Sequence, residues 1–330
     1  MKHFLGLDIG GTKIAGALVT NQGKILRRVK IATPPGGGSA RLLVAVEETV
    51  RALLPEGAKT PTIAGIGIGV PGLVGPDRGT ILHAPNLRVK NCRLAAPLAR
   101  RHRVPVVADN DVNLGVLGEQ WLGAARGAQN VVGLFPGTGV GGGIIIRGEL
   151  YSGHHGGGGE LGHLTLVADG PPCTCGNRGC LEAFASRWAI EKKLRLALSQ
   201  GKRSVLRQLL EGHRGPIKSG MIRKALKRKD PLVTRVMKEA GRALGQACAS
   251  LRHVLDPELI IFGGGLIDAC GDFLLPIIRQ TAANDPYFAS LPPCPIVPSR
   301  LGDDAVLLGA VALVRRASVR KPSRPERKQK

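Results

Sequence analysis

The chain has 330 residues, 43% of them apolar, which suits about two globular domains whose cores need no disulfides. No apolar run approaches the roughly 18–20 residues that span a bilayer; Asp8 interrupts the apolar start "MKHFLGLDIGG", so no signal peptide is read there, and seven cysteines, an odd number, argue against a disulfide framework. The expectation is a cytoplasmic protein whose net charge of +23 lies mostly in residues 192–229 (thirteen Lys/Arg, one Glu) and 315–330 (eight, one), as solvated basic faces rather than a specific nucleic-acid site.

Residues 4–19, "FLGLDIGGTKIAGALV", read as strand, glycine turn, strand. Gly6 to Gly11 has Walker spacing, but Thr12-Lys13 stand in inverted order and a β-like run comes next where a P-loop needs a helix. Next, "VPVVADNDVNLGVLGEQW" from Val104 reads as a strand ending at Ala108 and then a helix. Asp109, Asn110 and Asp111 sit at that junction, where a reactive carboxylate and a helix cap are both at home.

Residues 131–146, "VVGLFPGTGVGGGIII", repeat the strand–turn–strand pattern. They contain G-x-G-x-x-G at Gly137, Gly139 and Gly142, yet the next residues make a good strand and a poor helix, which opposes a dinucleotide site. The reading that remains is two β-hairpins, one per domain. Their turns offer backbone N–H groups to phosphate at Gly10, Gly11, Gly137 and Gly139, with Thr12 and Thr138 as hydroxyl donors and Lys13 as a cation.

"ELGHLTLVADGPPCTCGNRGCLE" runs over residues 160–182. His163, Cys173, Cys175 and Cys180 supply the four ligands of a closed, structural Cys₃His zinc site, with buried free thiols as the alternative. A redox pair would need C-x-x-C, which is absent from this stretch. Glu160 and Glu182 bracket these ligands, so a metal would fix both carboxylates. Residues 192–229 read as exposed helices. "PELIIFGGGL", residues 257–266, reads as a buried strand ending in glycines, and Gly264 and Gly265 offer bare backbone to a base or ribose. "AVLLGAVALVRR" reads as a last helix, and the polar, Pro-containing residues 317–330 as a disordered basic tail.

In this order "LDIGGTK", "GTGVGGGI", "ELGH", "CTCGNRGCLE" and "FGGGL" resemble the ROK family of sugar kinases, within the actin-like, ribonuclease-H-like ATPase superfamily. The cysteine motif preceded by E-x-G-H is the specific part; the two turns are shared more widely. The resemblance implies a two-domain α/β fold with an interdomain cleft. A smaller domain, 1–118, would be completed by a helix at about 303–316, and a larger one would span 119–302. It implies Asp111 as the base, Asn110 as a sugar ligand and Asp8 as the partner of Mg²⁺ or its waters. Glu160, His163 and Glu182 would contact the sugar near its anomeric end, with Gly72 of "GVPGLV" and Asn86 of "APNL" on the sugar side. Asp109 stands where the family commonly has Glu, and "RVKNCRLAAPL" departs from the usual pattern.

ATP, Mg²⁺ and a structural Zn²⁺ are the implied cofactors, and a homodimer the implied assembly. The family's repressors carry an N-terminal winged helix, for which a phosphate turn starting at Gly6 leaves no room. The activity implied is glucose to glucose 6-phosphate. The alternatives are an N-acyl-hexosamine or fructose kinase, or a non-catalytic sugar sensor.

Overall fold

His3–Ile9 (β1) is nearly all apolar and buried, and it turns back into Lys13–Thr20 (β2), antiparallel, with Ile9 opposite Ile14. The computed structural model describes residues 2–54 and 63–319. Ile25–Ala32 (β3) closes that side as a charged edge strand, carrying Arg27, Arg28 and Lys30 outward. After Ser39–Leu53 (α1), the strand Ile63–Val70 (β4) runs parallel to β1. A small antiparallel sheet comes next, Leu73–Val74 (β5), Thr80–Ala84 (β6) and Val89–Arg93 (β7), and then Ala95–His102 (α2). Val106–Asn110 (β8) lies parallel to β4 and leads into Asp111–Leu122 (α3). The order is β3-β2-β1-β4-β8. The C-terminal helix Ala305–Val319 packs on this sheet and on α3. It can do so because Gly6 and Gly67 present bare backbone: a Cβ there would overlap Leu307 O and Ala310 O.

The second unit repeats the plan. Val131–Pro136 (β9) and Val140–Ile146 (β10) form a hairpin and Glu149–Leu150 (β11) the edge. Leu259–Phe262 (β12) and Ile296–Pro298 (β13) add in parallel, giving β11-β10-β9-β12-β13. Each sheet is thus an antiparallel hairpin and edge strand joined by two parallel additions. Helices Glu182–Ala185 (α4), Arg187–Ser199 (α5), Leu206–Leu209 (α6), Ser219–Lys227 (α7), Pro231–Leu255 (α8) and Gly265–Ala283 (α9) complete the unit. Asp230 caps α8 by accepting from Val233 N at 2.9 Å, with Pro231 in the first turn. Val236, Met237 and Leu244 of α8 share one buried core with Leu266, Leu274 and Ile278 of α9 and with Ile260 and Phe262 of β12.

The first unit comprises Met1–Leu122, His154–Gly156 and Asp303–Lys330; the second comprises Gly123–Gly153 and Gly157–Gly302. The first therefore runs past the expected limit at 118, because α3 is one unbroken helix to Leu122 and its Trp121 stacks under Arg315, 4.4 Å from ring centroid to guanidinium. Residues 154–156 also leave the expected 119–302 span, since Gly156 lies against Val74 O. The last helix continues to Val319, so residues 317–319 are helical rather than part of a tail. Arg316 Nη2 donates to Gln120 Oε1 at 2.8 Å and helps to hold that final turn. The remainder of the expected tail, 320–330, lies outside the described residues. No helix among the described residues is long and apolar enough to cross a membrane.

Candidate active site

Parallel pairing in the first sheet sets Asp8 opposite Gly69 and Gly69 opposite Asp109. Adjacent strands are about 4.8 Å apart, so the two aspartates stand roughly 10 Å apart at the same edge. The chain leaves β1, β4 and β8 there, into the first glycine turn, the Gly72 loop and the head of α3. In an open α/β sheet this is the edge where ligands bind.

In the first turn Gly10 N donates to Lys13 O at 2.9 Å, and Thr33 Oγ1 donates to Gly10 O at 2.6 Å. Burial pushes the Asp8 carboxyl up to about 6; Lys13 pulls it down and Asp303 adds a smaller upward push. Lys13 and Thr12 are exposed, and exposed Asn86 lies beside Gly11, its carbonyl 3.9 Å from where a Cβ would sit.

At the head of α3 the three candidates separate. Asp109 is 3% exposed; its Oδ1 accepts from Asn113 Nδ2 at 2.9 Å and Asn110 N at 2.8 Å, and Arg78 Nε stands 3.8 Å from Oδ2. Asn110 caps the helix: its Oδ1 accepts from Val112 N at 2.8 Å and Asn113 N at 3.2 Å, while Nδ2 donates to Gly72 O at 3.2 Å. These contacts use one of its two amide hydrogens. Asp111 opens α3, half-buried, with Oδ1 accepting from Val112 N at 2.9 Å. The positive end of the helix favours its anion. Gly72 is required as glycine, since a Cβ would overlap His83 O.

In the second unit the turn chemistry recurs in part. Gly137 N donates to Gly139 O at 2.8 Å, and Thr138 is exposed at the tip. Gly264, the N-cap of α9 at φ 82°, lies against Pro136 O, and Gly263 lies against the Phe135 ring. The glycine strand end and the second turn are therefore neighbours, with Gly265 opening α9.

The knuckle brings His163, Cys173, Cys175 and Cys180 together, their ligand atoms all within 4.8 Å of one another. Cys175 Sγ and Cys180 Sγ are 3.8 Å apart, the edge of a tetrahedron with Zn–S bonds of about 2.3 Å. His163 Nδ1 lies 3.8 Å from Cys173 Sγ, so Nδ1 is the metal-side nitrogen and Nε2 faces elsewhere. Burial pushes the Cys180 thiol up to about 12 and raises Cys173, whereas the Asn177 backbone N–H lowers Cys175. Such thiols need a cation to be held as thiolates, and the donor set fits Zn²⁺.

The two bracketing carboxylates differ. Glu160 is exposed and has no partner among the described residues. Glu182 is 8% exposed and engaged at both oxygens: Oε2 accepts from Val140 N at 3.0 Å, and Oε1 from Thr174 Oγ1 at 2.9 Å, Trp188 Nε1 at 3.4 Å and Cys173 Sγ at 3.7 Å. Sequence reasoning did not single out Thr174, Arg187 or Trp188. Arg187 Nη2 donates to Thr138 Oγ1 at 2.9 Å, and Arg187 N to Gly137 O at 2.9 Å. The one signal for these three was their position inside and just after the cysteine motif.

Known proteins resemble this chain over most of its length. The ROK family profile matches residues 4–317. A glucokinase of Halalkalibacterium halodurans is 36% identical over 281 residues, 84% of this chain and 84% of the relative. The crystal structure of a ROK family glucokinase from Streptomyces griseus in complex with glucose and AMPPNP superposes with a TM-score of 0.79 at 34% identity, covering 95% of this chain and 99% of that one. A xylose repressor of Caldicellulosiruptor bescii is 31% identical over 94% of this chain and 77% of the repressor. The fold is accordingly the actin-like ATPase fold, and with a profile spanning nearly every described residue the chain belongs to the ROK family.

Proposed function

We propose that the protein is an ATP-dependent hexose kinase that converts glucose to glucose 6-phosphate. The observation that carries this is the register of Asp8, Gly69 and Asp109, which sets the first phosphate turn, the Gly72 loop and Asp111 along one sheet edge. A sugar hydroxyl is a poor nucleophile, and its proton must leave as the bond to phosphorus forms. Asp111 accepts that proton; the turn amides, Thr12, Thr138 and Lys13 hold the phosphates in line; Gly264 and Gly265 back the nucleoside. Asp8, an oxygen donor beside the turn, suits Mg²⁺, which supplies charge neutralisation on the phosphates when bound. Glu160, His163 Nε2 and Glu182 take sugar hydroxyls, with the zinc knuckle fixing their spacing; Asn110, Asn86 and the Gly72 loop add contacts. The resemblance carries two further readings, a homodimer, which light scattering tests, and a cytoplasmic location.

A coupled ADP-release assay over glucose, fructose, N-acetylglucosamine and N-acetylmannosamine tests the activity. Glucose should give the highest kcat/KM. Preference for an N-acyl sugar would move the substrate, and binding of sugar without ADP release would favour the sensor reading that the repressor relative supports.

A further inference from the structure

We propose that Glu182, in addition to the sugar contact that the resemblance implies, acts as a positioning residue: a brace joining the cysteine knuckle to the second glycine turn, through which metal loading of the knuckle sets the shape of the phosphate turn. It rests on the kinase reading only for the name of the turn's ligand.

Thr174 is the residue between two metal ligands, Cys173 and Cys175, so a bound ion fixes where its hydroxyl points. That hydroxyl donates to Glu182 Oε1 at 2.9 Å. The indole of Trp188, which donates to the same oxygen, packs against Cys173, Cys180 and Ala183. The other oxygen, Oε2, takes the N–H of Val140, the first residue after the turn, at 3.0 Å. A Cβ at Gly139 would meet that same oxygen, so a side chain there would displace the Glu182 carboxylate. A second link runs in parallel. The start of α5 donates Arg187 N to Gly137 O at 2.9 Å and Trp188 N to Thr138 O at 3.4 Å, and Arg187 Nη2 reaches Thr138 Oγ1. A carboxylate suits the brace because it only accepts, and Val140 N, Thr174 Oγ1 and Trp188 Nε1 all donate. Glutamine has the same shape but turns one oxygen into a donor facing donors. Loss of the ion frees Thr174 and leaves Cys173 as a thiol whose Sγ, 3.7 Å from Oε1, donates to the same oxygen, so Oε1 changes partners and the turn loosens.

The test uses the full, zinc-loaded chain and two variants with all four ligands intact, Glu182→Gln and Thr174→Val. Hydrogen exchange is followed in the peptide holding residues 137–140, and ADP and glucose affinities by calorimetry. Both variants should keep their zinc. Exchange of that peptide should quicken by roughly tenfold or more, the factor for losing a hydrogen bond to a charged acceptor. For Thr174→Val, ADP affinity should fall by a similar factor while glucose affinity stays within about twofold. Chelating the metal from the wild type should quicken the same peptide. Exchange unchanged in both variants, with zinc retained, overturns the brace. Quickened exchange in a protein that binds no ADP keeps the brace and removes the kinase reading instead.

Discussion

The two units build the same hairpin turn from the same strand order and charge it in different ways. Two residues before its first turn glycine, β1 carries Asp8; β9 carries Phe135 at that place. The first turn leads into Lys13, the second into Val140. Unit one thus holds its charges within the hairpin. Unit two has an apolar hairpin and borrows charge from later elements, Glu182 behind the turn and Arg187 beside it. The first turn is legible as a string of residues, whereas the second depends on parts about 45 residues away in sequence. A duplicated frame does not fix where function is stored.

The largest effect expected is at the head of α3. Asp111→Asn should lower kcat by roughly 10²–10⁴-fold, the span for a lost general base, with zinc content and ADP affinity near wild type. Asp109→Asn should act on stability instead, because Asp109 is buried between Asn113 and Arg78. A kcat collapse in Asp109→Asn with Asp111→Asn above about a tenth of wild type would exchange the roles. Next, Cys175→Ser should abolish the bound zinc, about one ion per chain by elemental analysis, and weaken glucose by at least roughly tenfold, since supports of a site cost about that much. Active wild-type protein without zinc would remove the knuckle from the mechanism.

The glycines carry the contrast between the turns further. Gly11 would accept a methyl group with only Asn86 O at 3.9 Å, while at Gly139 the methyl meets the Glu182 carboxylate. Gly139→Ala should lower the unfolding midpoint by roughly 5 °C and Gly11→Ala by about 1 °C. Equal losses would mean that both turns are held alike.

Much of this molecule is legible in its residues alone. The hairpins, the knuckle and the strand-to-helix step at Asp111 come from apolar periodicity, glycine placement and ligand spacing, all of them local signals. The illegible part is non-local. The division of labour among Asp109, Asn110 and Asp111 depends on Arg78 and Gly72, and Glu182 reads as a sugar contact paired with Glu160 until Val140 is seen to donate to it. Helix ends fail for the same reason: Val319 stays helical with Gln120 holding Arg316.

The smallest effect tests the claim that unit one stores charge inside its hairpin at a cost. The unfolded chain ionises Asp8 above its ordinary pKa of 3.8, but in the folded protein burial holds the carboxyl protonated up to about 6. A raised folded-state pKa means that the group's contribution to stability is fully present below pH 3.8 and is lost as pH rises through 6. Asparagine never ionises and has no such loss. Without Mg²⁺, Asp8→Asn should therefore unfold at a higher temperature than wild type at pH 8, with a gain of about 3 kcal/mol at most. That gain should shrink as pH falls through about 6 and vanish near pH 4. Adding Mg²⁺ with ADP should reverse the order, because the anion is then the useful form. Phe135, in the matching place of unit two, has nothing to ionise, so Phe135→Leu should show a midpoint difference that does not move with pH. A pH-independent difference at Asp8 as well would mean that its carboxyl is solvated and that the two hairpins differ in sequence but not in stored energy.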